Sequence, residues 1–242
     1  MFNLSKVLIA TLAILISIGE KAMAGPFEDA LAASKQGDYA NAFRLWLPLA
    51  QQGNPSAQHN IGIMLDRGKG VARDSAAAVQ WWRRAAIQGF TAAQSSLGFA
   101  YVTGRGVTPD LSEAIKWYRR AADSGDAYAQ SNLGAAYGEG KGVPQDWVAS
   151  TKWYRLAAEQ GHPIAQSNLG VAYANGQGIA RDYVQAYKWY CLAISSFPAS
   201  DTEGRTIAVD NQARLAPLMT SVQIAEAENL AREWKATTQF NR

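Results

Sequence analysis

The chain has 242 residues, of which 48% are hydrophobic and 18% charged, and its formal net charge at neutral pH is +3. That apolar content excludes an intrinsically disordered chain, and so mild a charge gives no electrostatic reason to expect a nucleic-acid partner. A single cysteine, Cys191, excludes an intrachain disulfide, so stability has to come from packing.

Residues 1–24 predict a secretory signal peptide. Lys6 supplies the positive start, Val7 to Ile18 an apolar run, and Ala22-Met23-Ala24 a small-x-small site with cleavage expected after Ala24. The run stops before Glu20 and Lys21, short of the roughly 20 apolar residues a spanning helix needs. No second apolar run follows. The mature chain is therefore expected in the periplasm or secreted, with no stable membrane insertion. Losing Lys6, Lys21 and Glu20 lowers the net charge from +3 to +2.

Residues 25–54 read as a degenerate first hairpin. Gly37-Asp38-Tyr39-Ala40 makes its turn, Ala42 and Trp46 give its second helix an apolar face, and Pro48 is expected to kink that helix. From residue 55 the chain repeats itself. Ala-Gln falls at 57–58, 93–94, 129–130 and 165–166, 36 residues apart each time. A fixed period of this size signals stacked helical units, here 55–90, 91–126, 127–162 and 163–197 in one elongated array.

Within a unit, Ala129, Leu133, Gly134 and Tyr137 lay an apolar stripe on a first helix, A. A glycine inside such a stripe costs about 1 kcal/mol relative to Ala. Its recurrence at Gly62, Gly98, Gly134 and Gly170 predicts that another helix crosses too closely for a Cβ. Pairs such as Gly140-Lys141-Gly142 end helix A and turn the chain back. Asp74, Asp110, Asp146 and Asp182 then cap a second helix, B, with Asp110…Glu113 and Asp182…Gln185 at capping-box spacing. Helix B carries Ala114, Trp117, Tyr118, Ala121 and Ala122 on one face. The pairs Trp81-Trp82, Trp153-Tyr154 and Trp189-Tyr190 repeat at the same place.

Beyond the last unit, Phe197-Pro198 to Gly204 reads as a loop, followed by a helix from about 206 to 216 that ends near Pro217. Thr220 with Gln223 starts a final amphipathic helix, and a frayed tail is expected from Ala236. Together 198–242 form a C-terminal cap.

Leu97-Gly98…Tyr101 followed by Ala114…Tyr118 resembles the tetratricopeptide skeleton, with a longer inter-helix turn that holds Gly-x-Gly-Val. That turn, with Trp-Tyr on helix B and a closing Ala-Ala, resembles the Sel1-like repeat family. The resemblance covers about 55–197. The segment Met219 to Trp234 is similar to that family's C-terminal capping helix. It implies an all-α fold, a right-handed α-α superhelix of helical hairpins, with helix A lining the concave side. It also implies an adaptor or regulator that works by binding proteins. Repeat four departs at its end, where Ile194 and Phe197 replace Ala and Gly.

Residues for chemistry are sparse. His59 and His162 have no cysteine or second histidine at ligand spacing, so no metal or cofactor is expected. No nucleophile elbow or phosphate-binding loop occurs, and the Gly-x-Gly pairs follow helices rather than strands. Some cysteine-rich relatives have been described as β-lactamases; this chain lacks their paired cysteines and has no Ser-x-x-Lys. It is therefore expected not to be an enzyme. Cys191, aligned with Arg83, Arg119 and Arg155, is expected to face solvent largely. The basic columns Arg83/Arg84, Lys116/Arg119/Arg120, Lys152/Arg155 and Lys188 read either as a solvated face whose stems cover the rings or as a ribbon for an acidic partner.

The resemblance places the candidate partner site on helix A, at positions expected to face neither neighbouring helix. One column is His59, Ser95, Ser131 and Ser167. A second is Ile63, Phe99, Ala135 and Val171, with Asp66 and Val102 one turn on. This surface is expected to take a peptide or protein element with Phe99 as an apolar anchor. A secreted factor acting on host proteins, or an envelope hydrolase, are the alternative functions.

Overall fold

The computed structural model of the protein describes residues 25–240, so the signal peptide expected at 1–24 lies outside the described residues. Twelve α-helices and no strand occur among those residues, which is the all-α class predicted by the repeat. The chain forms two compact units that divide between Gln88 and Gly89. The 36-residue spacing runs across this division without a break, so the period alone gives no sign of it.

The first unit contains α1 (Pro26–Lys35), α2 (Tyr39–Gln51), α3 (Pro55–Arg67) and α4 (Ser75–Ile87). The second opens with three hairpins of one helix A and one helix B. These are α5 (Thr91–Thr103) with α6 (Leu111–Asp123), α7 (Ala127–Glu139) with α8 (Trp147–Glu159), and α9 (Pro163–Asn175) with α10 (Tyr183–Ser196). Next come α11 (Thr202–Leu215), a 3-10 turn at Ala216–Leu218, and α12 (Ser221–Phe240). Successive helices from α5 to α11 pack on one another, and α12 lies on α10. Helices α5, α7, α9 and α11 also touch side by side, forming a row of A helices.

Local chemistry sets each hairpin. Gly68, Gly104, Gly140 and Gly176 end the A helices with φ between +66° and +71°, a region glycine enters without a Cβ penalty. The carboxylates of Asp74, Asp110, Asp146 and Asp182 then accept backbone N–H groups of helix B at 2.8–3.0 Å. The capping box at Asp110 and Asp182 is only half made. Their own N–H groups donate instead to the carbonyls of Tyr101 and Tyr173, at 3.0 Å each. The same bond recurs from Asp74 to Leu65 and from Asp146 to Tyr137, closing every inter-helix turn. Glu113 is thereby left free to pair with Lys116 at 3.0 Å.

The stripe glycines mark where helix B crosses. A Cβ on Gly98 would stand 2.5 Å from the Tyr118 ring, and on Gly134 or Gly170 it would stand 2.6 Å from Tyr154 or Tyr190. On Gly62 it would collide with the Trp82 indole. The second ring of each aromatic pair therefore fills the gap. Around it, Ile115, Tyr118, Ala121, Ala122, Ala129 and Leu133 make one continuous core between α6 and α7.

The glutamine of the Ala-Gln pairs is buried, which an apolar stripe does not predict. Gln58, Gln130 and Gln166 donate to the carbonyls of Ala50, Ala122 and Ala158 at 3.0–3.2 Å. Those carbonyls lie in the last turn of the preceding helix B and take this bond beside one from the Gly53, Gly125 or Gly161 N–H of the turn that follows. Gln88 and Gln160 extend the chain of bonds by donating to Gln58 and Gln130 at 2.8 Å.

At the ends of the chain, Pro48 lies inside α2, which continues to Gln51, and the Gln52 N–H donates to the Pro48 carbonyl at 3.0 Å. Helix α11 starts at Thr202 rather than near 206, because Asp201 caps it through the Gly204 N–H at 2.9 Å. Phe197, standing where other repeats have glycine, is buried against Ala193 and Ala208. Thr220 and Gln223 do form a complete capping box, with bonds of 2.9 and 3.3 Å. Helix α12 runs to Phe240, so the segment expected to fray is helical that far.

Candidate functional site

In the second unit the row of A helices carries seven of the ten residues singled out from the sequence. The structure divides them. Phe99 and Val102 on α5 are exposed, at 37% and 44%, while Ala135 on α7 and Val171 on α9 are half-buried. Ser95, Ser131 and Ser167 are buried, which corrects the expectation that this column faces neither neighbour. Ser95 shows the reason. Its hydroxyl donates to the Asp126 carboxylate at 2.8 Å, and the same carboxylate accepts the Ala129 N–H at 2.7 Å as the cap of α7. The serine ties one A helix to the start of the next.

The other three residues lie on α3 in the first unit. Asp66 is buried, again against expectation, and accepts the Ser75 hydroxyl at 3.0 Å across its hairpin. Ile63 and His59 are half-buried. Burial pushes the His59 imidazole down to about 4, so it is uncharged at neutral pH.

Pockets open between successive A helices of the second unit. Between α5, α6 and α7, Val102, Ile115, Tyr118 and Ala135 wall a space of about 200 Å³. Glu139 and Lys141, paired at 2.6 Å, also line it. Two repeats later, at equivalent positions among α9, α10 and α11, a larger pocket of about 470 Å³ contains Val171 and Tyr190. A third, of about 310 Å³, lies between the N-terminal halves of α9 and α11 and includes Ile164, Phe197 and Ile207. Val102, Ala135 and Val171 of the apolar set thus border concavities, while the serine column belongs to the packing beneath.

The basic columns on helix B cover rings. The Arg84 guanidinium sits 4.7 Å from the Trp81 ring centre, Arg120 4.6 Å from Trp117, and the Lys188 ammonium 5.0 Å from Trp189. Arg119 and Arg155 donate to the hydroxyls of Tyr137 and Tyr173 on the following A helix, the latter at 3.2 Å. Cys191 is not largely solvent-facing. It is half-buried, accepts from the Gln212 amide at 3.0 Å, and has its thiol pKa raised chiefly by burial. The reason is α11, which packs over α10 at this point.

His162 caps α9, its Nδ1 accepting the Ala165 N–H at 3.3 Å. Burial holds its pKa below the ordinary imidazole value, with the Asp126 carboxylate opposing. Among the described residues no group of three or more His, Cys, Asp or Glu side chains could hold a metal ion. None of the described helices is long and apolar enough to cross a membrane.

The family model described as Sel1 repeat matches residues 55–90, 91–126, 127–162 and 163–196. Among solved structures, that of a Sel1 repeat protein from Oxalobacter formigenes is 30% identical, with a TM-score of 0.73 over 88% of this chain and 83% of that one. Another, described as a protective antigen present in uropathogenic Escherichia coli strains displaying an SLR fold, is 31% identical with a TM-score of 0.54. The match covers 81% of this chain and 48% of that protein. No relative was found among the curated proteins.

Proposed function

Because the chain belongs to the Sel1 repeat family, we propose that it is a non-catalytic interaction scaffold that takes a peptide or protein element on the A helices of its second unit. The fold is one commonly used for protein–protein interaction. The observation that carries the reading is an apolar column in which Val102, Ala135 and Val171 line pockets that also contain Tyr118 or Tyr190, with Phe99 exposed on the same helix as Val102. Exposed aromatic and aliphatic side chains next to pre-formed concavities are the usual anchors of a peptide interface.

The proposal includes export, on the strength of the signal-like segment 1–24. Fractionation of cells producing the full chain and one lacking 1–24 tests it; cytoplasmic retention of the full chain rejects it. The binding face is tested with a Phe99→Glu, Val102→Glu variant. Both side chains are exposed, so the melting temperature should hold while capture of periplasmic partners is lost. An identical captured set from wild type and variant rejects this face. A second reading, a secreted factor acting on host proteins, is favoured by the likeness to a protein described as a protective antigen. Partners captured from host extract but not from periplasm would select it. Turnover of nitrocefin or cell-wall material by the pure protein would reject both in favour of an envelope hydrolase.

A further inference from the structure

Helices α9 and α11 run alongside each other, and the two pockets between them have opposite polarity. At the end formed by their C-terminal halves, Asn175, Arg181, Asn211 and Arg214 surround the pocket of about 470 Å³, and no carboxylate lines it. Its apolar floor is Val171, Tyr190 and Leu215. Among the described residues neither guanidinium has a hydrogen-bond or ion-pair partner. Arg181 only borders the Tyr183 ring, 5.5 Å from its centre. At the other end Asp201 and Glu203 stand beside Ile164, Phe197 and Ile207.

From Ile164 to Ala174 helix α9 advances about 15 Å. An extended peptide covers that length in about five residues. The turn that follows α11 adds Leu218 to the basic pocket, so the groove is bounded where α11 stops. We infer that the α9–α11 groove holds the last residues of a protein partner, with the terminal carboxylate between Arg181 and Arg214 and a basic side chain about four residues upstream against Asp201 and Glu203. Planar guanidinium groups take a carboxylate with two parallel hydrogen bonds, and the neighbouring amides of Asn175 and Asn211 supply further donors. The apolar floor at each end takes a side chain of the same segment. The opposed charges fix the direction of the chain and disfavour its reverse.

This inference rests on the proposed role of the A helices as a binding face, and it narrows that role to one groove. The test uses the purified chain and N-terminally labelled five-residue apolar peptides in fluorescence polarisation. One peptide has lysine first and a free carboxyl terminus. A second is the same peptide amidated at its end, and a third is amidated and carries an internal aspartate instead. The first should bind, and amidation should weaken it about tenfold or more. Arg181→Gln with Arg214→Gln should weaken the first peptide to the same degree and leave the amidated one unchanged. Both arginines are exposed, so helical content and melting serve as controls on the fold. No binding of the first peptide, equal binding of the amidated form, preference for the internal aspartate, or no response to the arginine changes each overturns the inference. The capture experiment through Phe99 and Val102 stands apart from that result, because those residues do not line this groove.

Discussion

Replacing Gly98 with alanine isolates the contact on which each hairpin depends. In a helix interior the change should by itself stabilise by about 1 kcal/mol. Here the new methyl would stand 2.5 Å from Cδ1, 2.6 Å from Cε1 and 2.9 Å from Cγ of Tyr118. The ring is only 2% exposed and is held within the α6–α7 core, so any movement away from the methyl disturbs that packing. Overpacking of a buried ring costs about 1–3 kcal/mol, and the upper end applies where backbone on one side and core on the other both resist. The expected net loss is therefore about 1–2 kcal/mol after the propensity gain. Urea unfolding followed by circular dichroism measures it, with the slope checked against wild type. Combining Gly98→Ala with Tyr118→Ala should recover part of the loss, giving a coupling energy of about 1 kcal/mol or more. Gly134→Ala should cost less, since Tyr154 is only half-buried and can yield. A neutral or stabilising Gly98→Ala, or strictly additive double-variant energies, would refute the idea that the glycine exists to admit the ring.

Trp117→Ala should destabilise by about 3–5 kcal/mol, because the ring is buried and its Nε1 leaves no partner stranded when removed; a loss below about 1 kcal/mol in the same assay would show the ring is peripheral. Asp146→Ala strands the N–H groups of Val148 and Ala149 and should cost about 1 kcal/mol, with Asp146→Asn recovering most of it. His59 gives a pH signature. Its imidazole titrates near 4 in the folded chain against 6.5 when unfolded, so between those values the unfolded state binds the extra proton. The His59 contribution is thus fully present above pH 6.5 and falls as the pH drops toward 4, by up to about 3 kcal/mol. His59→Gln should lose that slope, and parallel stability curves for wild type and variant would disprove it.

The hairpins were legible because their determinants are local and repeated. A glycine every 36 residues in an apolar stripe, an aspartate at the start of each B helix and an aromatic pair on it have one joint solution, and the structure adopts it. What the sequence hid lies in groups whose partners are distant along the chain. The resemblance and helical phase together put the serine column on the open side of helix A, yet neither reveals that Asp126, 31 residues from Ser95, accepts its hydroxyl. The buried glutamines were visible as a recurring Ala-Gln pair, and a polar residue held in register with an apolar stripe is itself a sign of an obligatory buried bond. Cys191 followed the opposite logic. It aligns with Arg119 and Arg155, which reach the next A helix, but after the fourth repeat that helix is α11, which meets it with Gln212, and a long cation there would have to be buried. The same substitution of partner explains the polarity of the last groove. The pocket between α5 and α7 is lined by residues of two repeats, whereas α11 follows no repeat pattern and brings Arg214 and Asn211 to a wall that Asn175 and Arg181 of the fourth repeat already share. Distinct chemistry therefore concentrates where the repetition ends.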